Sequence, residues 1–168
     1  MKDTKHKILT LAALTTIAAG VIHLTNRVIV ASSQLKEMLD FSNHNYYNWR
    51  FGKIYYTKKG KGSPLLLIHN LDVCSSSHEW NKIEASLAKT YTVYSLDLLG
   101  CGCSDRPILT YTNFLYVQLI TDFIKHIIGD RTDVIVSRDS APFVLMACSN
   151  DNTIINKVAL INPQNLVS

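Results

Sequence analysis

A carboxylate and a hydroxyl stand side by side at Asp139 and Ser140, directly after a short apolar stretch. Either group can attack an electrophilic carbon and form a covalent ester intermediate. A nucleophile on a sharp turn between a strand and a helix needs small residues two positions away on either side. Ser137 and Ala141 meet this requirement around Asp139, whereas the corresponding neighbours of Ser140 are an arginine and a proline. The spacing therefore predicts Asp139 at the nucleophile position, with Ser140 as the alternative.

Asp139 also has a structural interpretation. Aspartate is among the strongest N-cap residues, and a helical pattern starts at Ser140 or Ala141. We favour this capping role over catalysis. Asp97 and Asp105 precede the turn in the sequence and are expected to anchor a loop.

The elements that must position these residues alternate along the chain. Ser76 followed by Glu79 is a capping-box pattern, so a helix should begin there and carry Trp80, Ile83, Leu87 and Ala88 on one face. Gly129 should end a long helix in which apolar residues recur at four-residue spacing. Strands are predicted at 49–57, 64–69, 91–96, 133–136 and 155–161, and the two later helices at 111–128 and 141–149. This alternation predicts an α/β fold with a mostly parallel sheet and flanking helices.

Three segments, in order, carry a resemblance to a known family. The run Asp97-Leu-Leu-Gly-Cys-Gly-Cys-Ser-Asp-Arg-Pro107 closely resembles the segment after the fourth strand of α/β-hydrolases. The run His69-Asn-Leu-Asp-Val-Cys-Ser-Ser-Ser-His-Glu-Trp80 resembles their loop after the third strand, and residues 137–141 take the nucleophile-elbow position. The resemblance covers the chain from Trp49 to its C-terminus and implies an incomplete α/β-hydrolase fold.

The resemblance also implies roles for backbone groups near the elbow. The N–H groups of Leu71 and Ser140 would form the oxyanion cradle. Asn70 replaces the usual glycine, and asparagine tolerates a left-handed backbone better than most residues. An aspartate nucleophile at Asp139 resembles the haloalkane dehalogenase and epoxide hydrolase branch, although tryptophan usually follows the aspartate there.

Catalysis in this family also needs an acid and a histidine, which come after the nucleophile in chain order. The last histidine of the sequence is His126, before the elbow. The resemblance therefore implies a hydrolase that is catalytically incomplete as given, with a small ester-like molecule as its substrate class. The alternatives are a non-catalytic binding remnant of a hydrolase and a short membrane protein without enzymatic role, so whether the chain is an enzyme stays open.

The N-terminal segment has the layout of a membrane anchor. Residues 8–24 are apolar apart from threonines and one histidine, and a cluster of lysines precedes them. We expect residues 1–32 to be an anchor or signal segment, 33–48 a connecting helix or linker, and 49–168 the partial hydrolase domain. The prediction is a single N-terminal span with the domain outside the cytoplasm; a buried core helix is the alternative.

The net charge and the spacing of the cysteines limit the classes of binding partner that the sequence favours. The net charge is +4, and much of the basic excess precedes the apolar segment, which favours anionic lipid over nucleic acid. The four cysteines lack the paired spacing of a zinc site. We therefore expect a membrane and a small molecule as partners, with no metal, no cofactor and no nucleic acid. The oligomeric state cannot be read from the sequence.

Overall fold

The computed structural model describes residues 20–28, 44–72 and 74–164. The chain divides into two compact units, Met1–Ser42 and Asn43–Ser168. In the first unit, residues 20–28 are helical and exposed. None of the helices in these described ranges is long and apolar enough to span a membrane. The remainder of the predicted anchor, and residues 33–43 of the predicted connecting segment, lie outside the described residues.

One six-stranded sheet organises the second unit, in the order β1-β2-β4-β3-β5-β6. The strands β4, β3, β5 and β6 run parallel, whereas β1 and β2 are antiparallel to their neighbours. The mostly parallel sheet is therefore confirmed. The strands are β1 His44–Trp49, β2 Gly52–Lys59, β3 Ser63–Ile68, β4 Tyr91–Leu96, β5 Thr132–Ser137 and β6 Ile155–Ile161.

The start of the sheet differs from the prediction of one strand at 49–57. A hairpin is present, in which Trp49 pairs with Gly52 across a two-residue turn. Gly52 has a φ of +150°, and a Cβ atom there would lie 2.8 Å from Cβ of Asp105, so the turn requires glycine. Residues 44–48, predicted as part of the connecting segment, form strand β1 instead. Cross-strand contacts such as that of Tyr46 with Tyr55 stabilise this arrangement.

In the described part of the second unit, three α-helices pack on the sheet, and short turns of other helical types adjoin them. They are α1 Asn81–Leu87, α2 Asn113–Phe123 and α3 Ala141–Asn150. The helix α2 continues as a π-helical turn, Ile124–Ile128, and Gly129 ends it with a φ of 71°. The predicted stop is therefore confirmed. Short 3₁₀ turns, Ser77–Trp80 and Arg138–Ser140, precede α1 and α3.

The core lies on both faces of β3. Leu66 and Ile68 contribute to the larger apolar cluster, which also contains buried residues of α2 and α3, and Leu65 and Leu67 contribute to a smaller cluster with Trp80. All four strand residues are buried, as expected for a central strand covered on both sides.

The face of α1 differs from the prediction. Ile83 is 42% exposed, whereas Glu84 is buried. Ser76 does cap the preceding turn, accepting the N–H of His78 at 3.4 Å. Glu79, however, accepts the N–H of Asn70 at 2.9 Å and so ties the helix start to the loop after β3. The reciprocal half of the expected capping box is replaced by a tertiary contact.

Candidate functional site

Three loops converge at the carboxyl edge of the sheet. β3 lies between β4 and β5, and Ile68 is in register with both Leu96 and Val136. The loops that follow these strands therefore leave the sheet side by side. In parallel α/β sheets this edge is where ligands bind.

Asp97 organises the loop after β4. It is 1% exposed, and its two carboxylate oxygens accept the N–H of Ser77 at 2.6 Å and the N–H of Cys103 at 2.8 Å. Gly102 has a φ of +48°, and a Cβ atom there would lie 2.0 Å from Oδ2 of Asp97. Only glycine fits this position. The predicted anchoring role of Asp97 is confirmed.

Asp105 and Arg106 of the same segment also hold the loop in place. Asp105 accepts the N–H of Lys53 at 2.7 Å, which joins the loop to the start of β2. Arg106 donates to the carbonyls of Gly100 and Gly102 at 3.1 and 3.0 Å. The predicted anchoring role of Asp105 is confirmed too. Gly100, Cys101 and Arg106 of this segment line a crevice at the carboxyl edge of the sheet.

His69 connects the ends of β3 and β4. It is fully buried; its Nε2 accepts the N–H of Leu98 at 3.0 Å, and its Nδ1 lies 2.6 Å from the carbonyl of Asn70. This pattern requires the proton on Nδ1. Burial lowers the pKa of His69 below its ordinary value of 6.5, although the Asn70 carbonyl and the carboxylates of Asp97 and Glu79 oppose the shift. The imidazole is therefore neutral, and both its nitrogens are engaged in holding the loops.

The elbow after β5 turns one residue earlier than the steric argument indicated. Arg138, not Asp139, has the left-handed backbone, with a φ of 43°. A non-glycine residue in this conformation is strained, and such strain is typical of the nucleophile turn. Ser137 and Ala141, the small flanking residues, are centred on Asp139, one position after this strained residue. The strained turn presents an arginine.

The two predicted elbow residues follow this turn. Ser140 is fully buried, is the N-cap residue of α3, and donates its hydroxyl to the carbonyl of His69 at 2.7 Å. Asp139 is half-buried and lies one position before the cap; its N–H donates to Oδ1 of Asn70 at 3.1 Å. The catalytic roles of Asp139, Ser140 and Leu71 stay predictions.

Asn70 differs from expectation in its backbone and in its side chain. Among the described residues, the non-glycine positions with positive φ are Arg138 and Asn162, so Asn70 does not adopt the left-handed conformation. Its amide group instead bridges to the elbow through Asp139. Sequence reasoning missed this contact, because the only signal was the amide at a position where the family usually has glycine.

Two cavities lie among the loops at this edge of the sheet. The larger, of about 540 Å³, is lined by Leu71, Cys101, Tyr111 and Tyr116, among others. Tyr116 stacks on Phe143 with 5.2 Å between ring centroids, which extends the aromatic wall into the core. The smaller, of about 340 Å³, is polar and includes Asn70, Glu79 and Arg138. In the described part of the chain, no three metal-ligating side chains come together, and all four cysteines are free thiols.

Comparison with known proteins identifies a family model and curated hydrolases that resemble this chain. Residues 65–160 match the model of the alpha/beta hydrolase family. The chain is 35% identical over 71 residues to a 2-hydroxy-6-oxo-6-(2'-aminophenyl)hexa-2,4-dienoic acid hydrolase of Metapseudomonas resinovorans, which covers 42% of this chain and 24% of that protein. It is 29% identical over 83 residues to a soluble epoxide hydrolase of Corynebacterium sp. (strain C12), covering 49% of this chain and 28% of that protein.

A solved structure supports the same assignment. An alpha/beta hydrolase fold protein from Burkholderia ambifaria superposes with a TM-score of 0.68 at 27% identity, covering 74% of this chain and 45% of that one. The chain thus spans about a quarter of the curated relatives and less than half of the solved structure. Because the family model matches more than half of the chain and the sheet has the corresponding strands and loops, this chain belongs to the alpha/beta hydrolase family.

Proposed function

We propose that this protein binds a small ester-like molecule in the crevice at the carboxyl edge of its sheet and, as the sequence stands, does not hydrolyse it. The observation that carries the proposal is the left-handed backbone of Arg138 at the turn after β5. The strained position of the elbow, where the family presents its nucleophile, holds a guanidinium. A guanidinium stays protonated in proteins and has no lone pair with which to attack carbon.

The neighbouring polar groups support the same conclusion. The buried Ser140 hydroxyl donates a hydrogen bond to the carbonyl of His69. Both ring nitrogens of His69 form hydrogen bonds with backbone groups of the loops. A general base must lie within hydrogen-bond reach of the proton that it removes. At this edge, Ser140 and His69 hold the loops together instead of being available as nucleophile and base.

The larger cavity supports binding. Its volume of about 540 Å³ and its wall of Leu71, Tyr111 and Tyr116 suit a small, partly aromatic molecule. The hydrolases among the relatives are consistent with a ligand that resembles an ester or another acyl compound. The ligand would lie between the loops after β3 and β4.

A second candidate function is hydrolysis with Asp139 as nucleophile. Asp139 is half-buried beside the strained turn, and the chain is similar to a soluble epoxide hydrolase. A carboxylate nucleophile would form an ester with its substrate. For this role the elbow would have to shift by one residue, so that Asp139 rather than Arg138 reached the crevice.

Attachment to a membrane through residues 8–24 is a separate part of the proposal. The apolar run and the lysines before it support a single span with the domain outside the cytoplasm. Alkaline extraction of membranes from cells that express the full chain tests this. Release of the protein into the supernatant contradicts the anchor.

Hydrolysis is tested on the 168-residue chain with p-nitrophenyl butyrate and styrene oxide as probes. We expect no turnover above the background rate, and a saturable signal for the ester in saturation-transfer NMR. Turnover that Asp139→Asn abolishes and Ser140→Ala retains would overturn the proposal and establish the second candidate.

The location of binding is tested with a matched pair of variants. Tyr111 lines the larger cavity and is 38% exposed, whereas Phe114 is 63% exposed and is not among the residues lining that cavity. Tyr111→Ala should weaken ester binding about tenfold, corresponding to about 1.4 kcal/mol. Phe114→Ala should leave the affinity unchanged. Equal effects of both changes contradict binding in this cavity.

A further inference from the structure

The N–H group of Asp139 is in the place where the fold binds a developing oxyanion. In α/β-hydrolases this cradle consists of the N–H that follows the turn residue and an N–H of the loop after the third strand. Since Arg138 is the strained turn residue, the following N–H belongs to Asp139. That N–H is not free: it donates to Oδ1 of Asn70 at 3.1 Å.

We propose that the side-chain amide of Asn70 is a built-in occupant of this oxygen-binding place and keeps small carboxylates out of it. An amide oxygen accepts hydrogen bonds as an acyl or carboxylate oxygen does. Asn70 therefore provides internally the acceptor that a ligand would otherwise bring. This inference rests on the proposed function in one respect, the position of Arg138 at the turn.

Hydrogen bonds of both its backbone N–H and its carbonyl hold Asn70 in this place. Its N–H donates to Oε2 of Glu79 at 2.9 Å, and its carbonyl accepts the N–H of Asp72 at 3.2 Å and lies 2.6 Å from Nδ1 of His69. The backbone of Asn70 is therefore fixed, and only its side chain has to be ordered when it reaches Asp139. A ligand would have to displace a preorganised group, which costs affinity.

The surroundings define which ligand the place would take. Arg138 and Asn70 line the same polar cavity of about 340 Å³. A planar guanidinium pairs with carboxylates through parallel hydrogen bonds. Glu79 also lines this cavity, and one of its carboxylate oxygens accepts the N–H of Asn70. With the Asn70 amide removed, the N–H of Asp139 would be open to a small carboxylate, and the guanidinium of Arg138 lines the cavity beside Asn70.

Benzoate is the probe, and the amide resonance of Asp139 in the ¹⁵N-labelled 168-residue chain is the readout. In the natural sequence we expect no saturable shift at millimolar benzoate. Asn70→Ala should bind benzoate at least about tenfold more tightly, with a saturable shift of this resonance. Asn70→Gly restores the usual residue of the loop and serves as a second variant should the alanine variant not fold.

Two matched changes isolate the parts of the proposal. Asn70→Asp keeps an acceptor oxygen at the same reach and should exclude benzoate as asparagine does. Arg138→Gln combined with Asn70→Ala should lose the gain in affinity. Equal benzoate affinity of the natural sequence and of the Asn70→Ala and Asn70→Gly variants overturns the proposal. A gain that persists without Arg138 supports the role of Asn70 and contradicts only the contact with the guanidinium. Ester turnover is measured separately by nitrophenolate release, so a failure of the proposed function is distinguishable from a failure of this inference.

Discussion

Glu84 of α1 is a buried carboxylate with three side-chain donors. It accepts the hydroxyls of Thr57 at 2.9 Å and Ser95 at 2.7 Å, and the ammonium group of Lys59 at 2.6 Å. Burial alone would raise its pKa, but the bonds from Lys59, Ser95 and Thr57 outweigh that effect, and the pKa of Glu84 lies below its ordinary value of 4.5. The charged form therefore links the helix to β2 and β4.

We predict that Glu84→Gln lowers the free energy of unfolding by about 2 kcal/mol near neutral pH, because a buried charge pair and its hydrogen bonds are weakened. Since the folded-state pKa is lowered, the contribution is fully present above pH 4.5 and is lost as the pH falls through the folded-state pKa. Urea titrations of both proteins across this range measure it; a difference that grows on acidification contradicts the assignment.

Asp151→Asn provides a comparison for this prediction. Asp151 pairs with Lys125 at 2.7 Å near the surface, and the hydrogen bond from Lys125, with those from Thr153, lowers the pKa of Asp151 to about 2. An exposed pair contributes little to stability. We expect this variant to cost less stability than Glu84→Gln at neutral pH.

At the scale of elements, the loop after β4 depends on one close approach. Gly102→Ala should destabilise the domain by about 2–3 kcal/mol, because the new methyl group would meet Asp97 at 2.0 Å in addition to adopting a left-handed backbone. Gly129→Ala is the matched control: its φ of +71° is also left-handed, but nothing lies within 4 Å of the added carbon. Urea midpoints measure both, and equal losses would show that backbone strain alone, not the contact with Asp97, decides the cost.

The sequence predicted elements whose pattern is local. The continuous apolar run of β3, the four-residue spacing of α2 and its stop at Gly129 each follow from burial and backbone chemistry, and each is confirmed. The turn between β1 and β2 was missed because the aromatic alternation continues across it. Tertiary pairing, not local propensity, determines where that strand ends.

Two features of the structure depend on tertiary contacts that the periodicity of the sequence does not predict. Glu84 is buried in place of Ile83 because donors on β2 and β4 satisfy its charge. Arg138 takes the strained conformation because the buried Ser140 is bonded to His69, which fixes where β5 turns into α3. Sequence alone placed the elbow within one residue, but it could not determine which side chain the turn presents.

For the whole molecule, the edges of the sheet decide how it behaves in solution. In the described sheet, β6 is an edge strand that pairs only with β5. Its last residue, Ile161, is 48% exposed, and Leu145 and Met146 of α3 are 38% and 41% exposed. An apolar strand with unpaired backbone groups is a template for pairing with another strand.

We therefore predict that the 168-residue chain self-associates through β6. Ile161→Lys places a charge on the edge and removes exposed apolar surface, so it should weaken association at least about tenfold in sedimentation velocity over a concentration series. Phe114→Lys makes the same chemical change at a residue of α2 that is 63% exposed, away from the strand, and should have little effect. If both substitutions weaken association equally, general apolar contact rather than strand pairing drives it. If the unmodified chain stays monomeric at every concentration, the edge is not a pairing surface, and the exposed end of β6 needs no partner for the domain to remain soluble.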